Sequence, residues 1–169
     1  VKDDGTVLKC VNLGWGVFNV EKALSVICGG VKVKAGNDAN VAALGEMWQG
    51  GGKGYEDVVM ITLGTGVGGG IIRGGKIVAG TNGAAGEIGH IPMIDDESEC
   101  CGCGKKGCLE QYASANGLVN VAEKYIAAHR TVETELDLNA GFTAKDVCDA
   151  AKAGDIAGLA AVEESMSLL

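Results

Sequence analysis

The sequence predicts an α/β layered fold, and three features carry that prediction. An apolar run over 57–63 (DVVMITL) leads into the glycine-rich stretch GTGVGGG and returns as a second strand ending at Ile72. A helical pattern opens just before this pair, at Asn37 or Asp38, and a longer one follows it over 109–129. Strands with crossover helices, then a hairpin, are the pattern of packed helix and sheet layers.

The elements follow in order. Asp4-Gly5 reads as a hairpin-type turn whose first strand lies upstream. A strand is expected over 6–11, then the turn NLGWG, then a short helix over 21–27. VKVKA alternates apolar residues with lysine, a strand signature over 31–35. NDANVAALGEMWQ opens a helix that places Val41, Leu44, Met47 and Trp48 on one side. The continuous apolar run over 57–63 predicts a buried strand. Arg73-Gly74-Gly75-Lys76 turns the chain into KIVAG as a hairpin. A loop covers 80–89, and a short strand is expected within 88–94. The longest helix is expected over 109–129. Thr143, with Asp146 three residues on, caps another helix, and a last one begins near Asp155. No internal repeat or linker is visible.

The 169 residues suffice for one domain with a real core, or for parts of two lobes. Eleven of the 29 glycines fall between Gly64 and Gly89, so the excess is local. A net charge of −8 argues against a nucleic-acid partner for this segment, because a phosphate backbone needs clustered Lys and Arg. No apolar run approaches the roughly 20 residues that span a bilayer, and no signal peptide is visible. Cysteines in metal-bound or free form point to a reducing cytoplasm. The sequence starts at Val1 without Met and stops inside the helical pattern GLAAVEESMSLL. Both ends read as cut, so a piece of a longer protein is expected.

The most specific chemistry lies in one stretch: His90, then Cys101, Cys103 and Cys108 in CCGCGKKGCLE. Zinc takes thiolate and imidazole ligands, and three cysteines with one histidine are a common structural set. The intervening glycines let the backbone bend three sulfurs toward one ion. The usual C-x₂-C knuckle is absent. Disulfides or buried free thiols are the rival readings, and four of seven cysteines within 100–108 fit neither well. Cys100 competes with Cys101 as a ligand. Cys10, Cys28 and Cys148 read as core thiols.

Three further groups carry function. In NDAN (37–40), Asp38 sits where a strand ends and a helix starts, a usual edge for ligand contact. A carboxylate there can accept a proton from a hydroxyl; equally, Asn and Asp are ordinary helix caps. In LGTGVGGG (63–70) the backbone N–H groups of a glycine turn, with the Thr65 hydroxyl, can form an anion nest. The rival is a tight hairpin that needs positive φ. It is neither a Walker A loop nor a dinucleotide fingerprint, because a strand follows it. Glu87 and Glu110 flank the metal ligands and can accept from polyol hydroxyls, or be solvated loop residues. His90 can bind metal through one nitrogen and offer the other.

Together, NDANVAALGE (37–46), LGTGVGGGII (63–72), GGKIVAGTNGAAGEIGH (74–90) and CGCGKKGCLEQYAS (101–114) resemble the ROK family of bacterial sugar kinases and sugar-responsive repressors, and its glucokinases in particular. The resemblance covers nearly the whole chain in order and spacing, and CxCGxxGCxE is specific to the family. It implies an actin-like ATPase (ribonuclease-H-like) fold of two lobes, here partial and with a zinc-bound loop. Residues 1–36 correspond to the end of the N-terminal lobe and 37–169 to the sugar- and zinc-binding part of the C-terminal lobe.

The resemblance implies ATP-dependent phosphorylation of a hexose, glucose to glucose 6-phosphate first. A sugar-sensing repressor, or a kinase for N-acetylmannosamine, N-acetylglucosamine or fructose, are the alternatives. Asp38 resembles the catalytic base. Asn37, Asp38, Glu87, His90 and Glu110 resemble the sugar contacts, as does Asn12 in VNLGWG, where Val11 replaces the family's proline. Thr65, Gly66 and Gly68 fall in the second phosphate motif. His90, Cys101, Cys103 and Cys108 resemble the ligands of a structural Zn²⁺. ATP with Mg²⁺ is the expected co-substrate, with polyphosphate the other donor, and a homo-oligomer (dimer or tetramer) is expected. The family's first phosphate motif, Asp-x-Gly-Gly-Thr, and its adenosine segment are not in this sequence. A chain with the sugar side but part of the ATP side is expected to bind glucose weakly and turn over poorly.

Overall fold

The computed structural model describes residues 2, 4–8 and 14–169. Near the N-terminus, β1 (Thr6–Val7) pairs antiparallel with β2 (Phe18–Asn19). The Asp4-Gly5 turn is present: Lys2 N donates to Thr6 O and Gly5 N to Lys2 O, with Gly5 at φ +80°. The strand expected over 6–11 is described only as far as Leu8; its remainder lies outside the described residues. Asn19 then caps α1 (Val20–Ile27), its side chain accepting from Lys22 N at 2.8 Å. Residues 31–35 form no strand among the described residues. Alternation is a local signal, but a strand also needs a ladder partner. Here the Ala35 N–H goes to the Glu21 carboxylate at 3.0 Å instead.

A three-stranded antiparallel sheet is built from β3 (Val58–Leu63), β4 (Val67–Arg73) and β5 (Lys76–Ile77), in that order. The register runs from Val58 opposite Ile72 to Leu63 opposite Val67, so Gly64, Thr65 and Gly66 make the turn. One side of α2 (Asp38–Gln49) packs on β4. Of the expected side only Leu44 and Met47 are half-buried, and the tightest packing is made elsewhere. Ala39 and Ala43 are buried, while Val41 and Trp48 are exposed. The reason lies in β4: a Cβ on Gly70 would stand 2.6 Å from Ala43 Cβ and 2.7 Å from Ala39 O. Only small residues on both sides allow helix and strand so close, so size decided the packed face over hydrophobicity. β3 is likewise not buried on both faces, since Val59, Ile61 and Leu63 are exposed.

The strand expected within 88–94 is a 3₁₀ turn (Ile88–His90) followed by one isolated bridge, Pro92 opposite Cys108. The long helix expected over 109–129 is broken in two. α3 (Glu110–Ala113) ends at Ser114, whose side chain accepts from Gly117 N at 2.9 Å and so caps α4 (Ala115–Ala128). A serine with an extended backbone starts a helix better than it continues one. The capping box at Thr143 and Asp146 starts α5 (Ala144–Ala153), and Asp155 caps α6 (Ile156–Ser167).

α4, α5 and α6 share the main core, with Tyr112, Val121, Ala122, Leu136, Val147, Ala150, Ala157 and Ala161 buried together. A smaller cluster of Val67, Leu109 and Ala113 joins the sheet to α3. Of the cysteines expected in the core, Cys28 is exposed at the end of α1 and Cys148 is half-buried; Cys10 lies outside the described residues. Among the described residues, no helix is long and apolar enough to cross a membrane.

Candidate functional site

Two short pairings build the metal-ligand cluster. The 100–106 segment folds as a small hairpin, with Cys100 bridged to Lys106, Cys101 N donating to Lys105 O and Gly104 N to Cys101 O. The 91–94 segment pairs with 107–109, Met93 N donating to Gly107 O and Leu109 N to Ile91 O. Gly107 is required there: its φ is +68°, and a Cβ would fall 1.7 Å from Ile94 O. The first pairing presents Cys101 and Cys103, the second brings His90 to Cys108.

The ligand atoms of His90, Cys101, Cys103 and Cys108 all lie within 4.8 Å of one another. Cys101 Sγ is 3.6 Å from His90 Nδ1, and Cys103 Sγ is 3.6 Å from Cys108 Sγ. A tetrahedral zinc with ordinary bond lengths has ligand–ligand edges of about 3.6–3.8 Å. Burial pushes the Cys108 thiol up to about 12, and Cys103 and Cys101 beside it push the same way. The Lys105 backbone holds Cys103 below its ordinary value. Three sulfurs this close repel one another as thiolates, and a divalent cation at their centre removes that burden, since coordination deprotonates a thiol outright. The number, softness and spacing of the donors fit zinc. Cys101, buried, is in this set; Cys100 is exposed and outside it.

Glu110 ties this cluster to the glycine turn. Its Oε2 accepts from Val67 N at 2.9 Å, and its Oε1 lies 4.0 Å from Cys101 Sγ. A Cβ on Gly66 would stand 2.3 Å from Glu110 Oε2, so a side chain there would push the carboxylate aside. The turn also docks on α4, Ala115 N donating to Gly64 O at 2.8 Å. Thr65 at its tip is exposed, and Gly68 lies beneath α2, its would-be Cβ 3.4 Å from Ala39 Cβ.

The NDAN helix start divides its roles. Asn37 is the cap, its Oδ1 accepting from Asn40 N at 3.1 Å. Asp38 is the first helical residue; its Oδ1 accepts from Ala39 N at 2.9 Å and its side chain is exposed. The cap reading therefore belongs to Asn37, and the other Asp38 carboxylate oxygen has no hydrogen-bond partner among the described residues. Glu87 is exposed at the start of the 3₁₀ turn, and His90, half-buried, turns Nδ1 toward Cys101, leaving Nε2 facing away. Asn12 lies outside the described residues. A 490 Å³ concavity lined by Glu46, Tyr55, Asp57 and Met60 contains none of these residues.

The supporting residues were not legible beforehand. Gln111 braces the ligand loop at both ends: Oε1 accepts from Cys108 N at 3.1 Å and Nε2 donates to Glu99 O at 3.1 Å. Glu97, which reads as one more charge in the solvated run DDESE, is nearly buried. It accepts from Glu99 N, from the Tyr112 hydroxyl and from Lys124 Nζ. Those donors, the Glu99 backbone first, hold its carboxyl down at about 2.

The sequence model described as "ROK family" matches residues 1–169. A glucokinase of Halalkalibacterium halodurans is 45% identical over 163 residues, 95% of this chain and 49% of that protein. Among solved structures, a ROK family glucokinase from Streptomyces griseus in complex with glucose and AMPPNP superposes with a TM-score of 0.77 at 38% identity, over 98% of this chain and 55% of that one. A ROK family transcriptional regulator, homologous to an E. coli protein, superposes at 0.81 with 28% identity, over 96% and 40%. The chain thus spans about half the length of the curated relative it matches.

Proposed function

The chain belongs to the ROK family, and on that footing we propose that it forms the sugar-binding, zinc-braced part of an ATP-dependent hexose kinase with glucose as acceptor. The observation that carries this reading is the convergence on one strand, β4. The Asp38 helix sits on Gly68 and Gly70, the segment of Glu87 and His90 sits on Gly69 and Val67, and Glu110 is bonded to the Val67 N–H. The glucokinase relatives support glucose as the sugar.

In this reading Asn37, Glu87, His90 Nε2 and Glu110 hold the sugar hydroxyls. Asp38 accepts the proton of the hydroxyl that attacks the terminal phosphorus of ATP, taken as its Mg²⁺ complex. The turn at Thr65, Gly66 and Gly68 offers N–H and hydroxyl donors to the phosphates. In phosphoryl transfer, positioning and charge neutralisation supply most of the rate, which suits a site made of fixed donors. His90, Cys101, Cys103 and Cys108 would hold zinc, which with four protein ligands and no open position supplies structure, not chemistry. Asn12 is assigned to the sugar side on the resemblance alone. Residues 1–36 and 37–169 are assigned to two lobes, and a homo-oligomer is part of the same reading.

A sugar-sensing repressor is the second reading, favoured by the 0.81 superposition on a ROK regulator. Incubation with ATP, Mg²⁺ and a panel of glucose, N-acetylmannosamine, N-acetylglucosamine and fructose separates the two. Phosphorylation, fastest with glucose, is expected. The protein incubated is one that carries this sequence together with the first phosphate motif and the adenosine segment, since the chain without them is expected to turn over poorly. Sugar binding by that protein with no transfer to any of the four would favour the repressor.

A further inference from the structure

We propose that Asn40 is a positioning residue that locks the Asp38 helix to the Glu87–His90 segment when a sugar binds, by accepting a hydrogen bond from the Gly86 N–H. The proposal rests on the sugar-site reading above. Its starting point is an orphan: Asn40 Oδ1 is buried and has no hydrogen-bond partner among the described residues. A buried carbonyl oxygen without a donor carries the full cost of leaving water, and such an atom in a folded protein calls for an explanation.

The surroundings supply one. Asn40 cannot drift, because its own N–H is held by Asn37 Oδ1 at 3.1 Å and its neighbour Ala39 is seated on Gly68 and Gly70. Gly86 cannot drift far either. A Cβ on it would stand 2.2 Å from Gly69 O, and one on Gly69 would stand 2.7 Å from Gly86 O. Successive strand residues look to opposite sides, so the helix and the Gly86 segment come at β4 from opposite sides. They meet where Asn40 reaches round to Gly86: the would-be Gly86 Cβ lies 3.6 Å from Asn40 Oδ1. The Gly86 N–H donates to no oxygen among the described residues, while its neighbours Ala85 and Glu87 donate to Ala79 O and Ala84 O.

Among the described residues, an unmatched acceptor and an unmatched donor therefore lie close together at the seam between the proposed base and Glu87. Closing that contact requires the Gly86 N–H to turn toward Asn40 Oδ1. A sugar that holds Asp38 and Glu87 together supplies the pull. The bond then makes sugar affinity depend on Asn40 although Asn40 touches no sugar.

The test is a glucose titration of ¹⁵N-labelled protein loaded with zinc. The Gly86 amide proton is expected to move downfield and to exchange more slowly with solvent once glucose is bound. Asn40→Ala should abolish both changes and weaken glucose binding about tenfold, the ratio for one hydrogen bond of ordinary strength. Asn40→Asp, which keeps an acceptor in place, should retain the Gly86 response. If the Asp38 and Glu87 amides respond to glucose while Gly86 stays unmoved and unprotected in the unmutated protein, the Asn40 proposal is overturned and the sugar site stands. If no amide responds at millimolar glucose, both are overturned.

Discussion

Replacing Gly70 with alanine tests the packing that places Asp38. The added methyl would sit 2.6 Å from Ala43 Cβ, 2.7 Å from Ala39 O and 3.3 Å from Ala39 C. Two of these atoms are helix backbone, so no rotamer change relieves the clash. Ordinary carbon contact begins near 3.5 Å, so α2 must back off β4 by about 1 Å. Overpacking of this kind costs about 1–3 kcal/mol. For a chain of this size that lowers the thermal midpoint by roughly 2–12 °C. The control lies on the same helix: a Cβ on Gly45 meets nothing within 4 Å. Gly45→Ala should therefore stabilise, by about 0.8–1 kcal/mol from helix propensity alone. Both are read by calorimetry at fixed zinc. Equal midpoints for Gly70→Ala and the unmutated protein would refute the argument that glycine is there to admit the helix.

Two more predictions follow from the ligand loop and its brace. Metal analysis of the purified protein should find about one zinc per chain, and Cys103→Ser should remove it, because three remaining ligands no longer close the site; equal zinc in both would dismiss the cluster as a metal centre. The Glu97 carboxyl, held down at about 2 from its ordinary 4.5, contributes stability that is complete above pH 4.5 and lost as pH falls toward 2. Unfolding midpoints measured across that window should fall with pH, and Glu97→Gln should flatten the fall; an unchanged slope would remove Glu97 from the account.

Several helix starts and the grouping of His90 with three cysteines were legible in the sequence, for reasons that can be named. Helix starts are local chemistry, so Asn37, Thr143 with Asp146, and Asp155 declared themselves. So did the clustering of His90, Cys101, Cys103 and Cys108, because three thiols and an imidazole in one glycine-rich stretch stand out. Failures came where distant partners decide. The alternation over 31–35 does not show where its N–H groups go: that of Ala35 goes to the Glu21 carboxylate. Which side of α2 is buried depends on glycines some thirty residues away. The break at Ser114 was visible only as a serine within an apolar pattern, a signal that the helical periodicity outweighed. Glu97 was hidden in plain charge: nothing local says that Tyr112 and Lys124 close over it.

The central claim is that Asp38 serves as base in transfer from ATP to a hexose. The direct measurement is the rate of glucose 6-phosphate formation by a protein carrying this sequence, unmutated and as Asp38→Asn, with glucose occupancy matched by calorimetry. The amide keeps the shape but cannot take the proton, so the rate should fall by about 10²–10⁴-fold while glucose still binds. Equal rates at equal occupancy would contradict the claim.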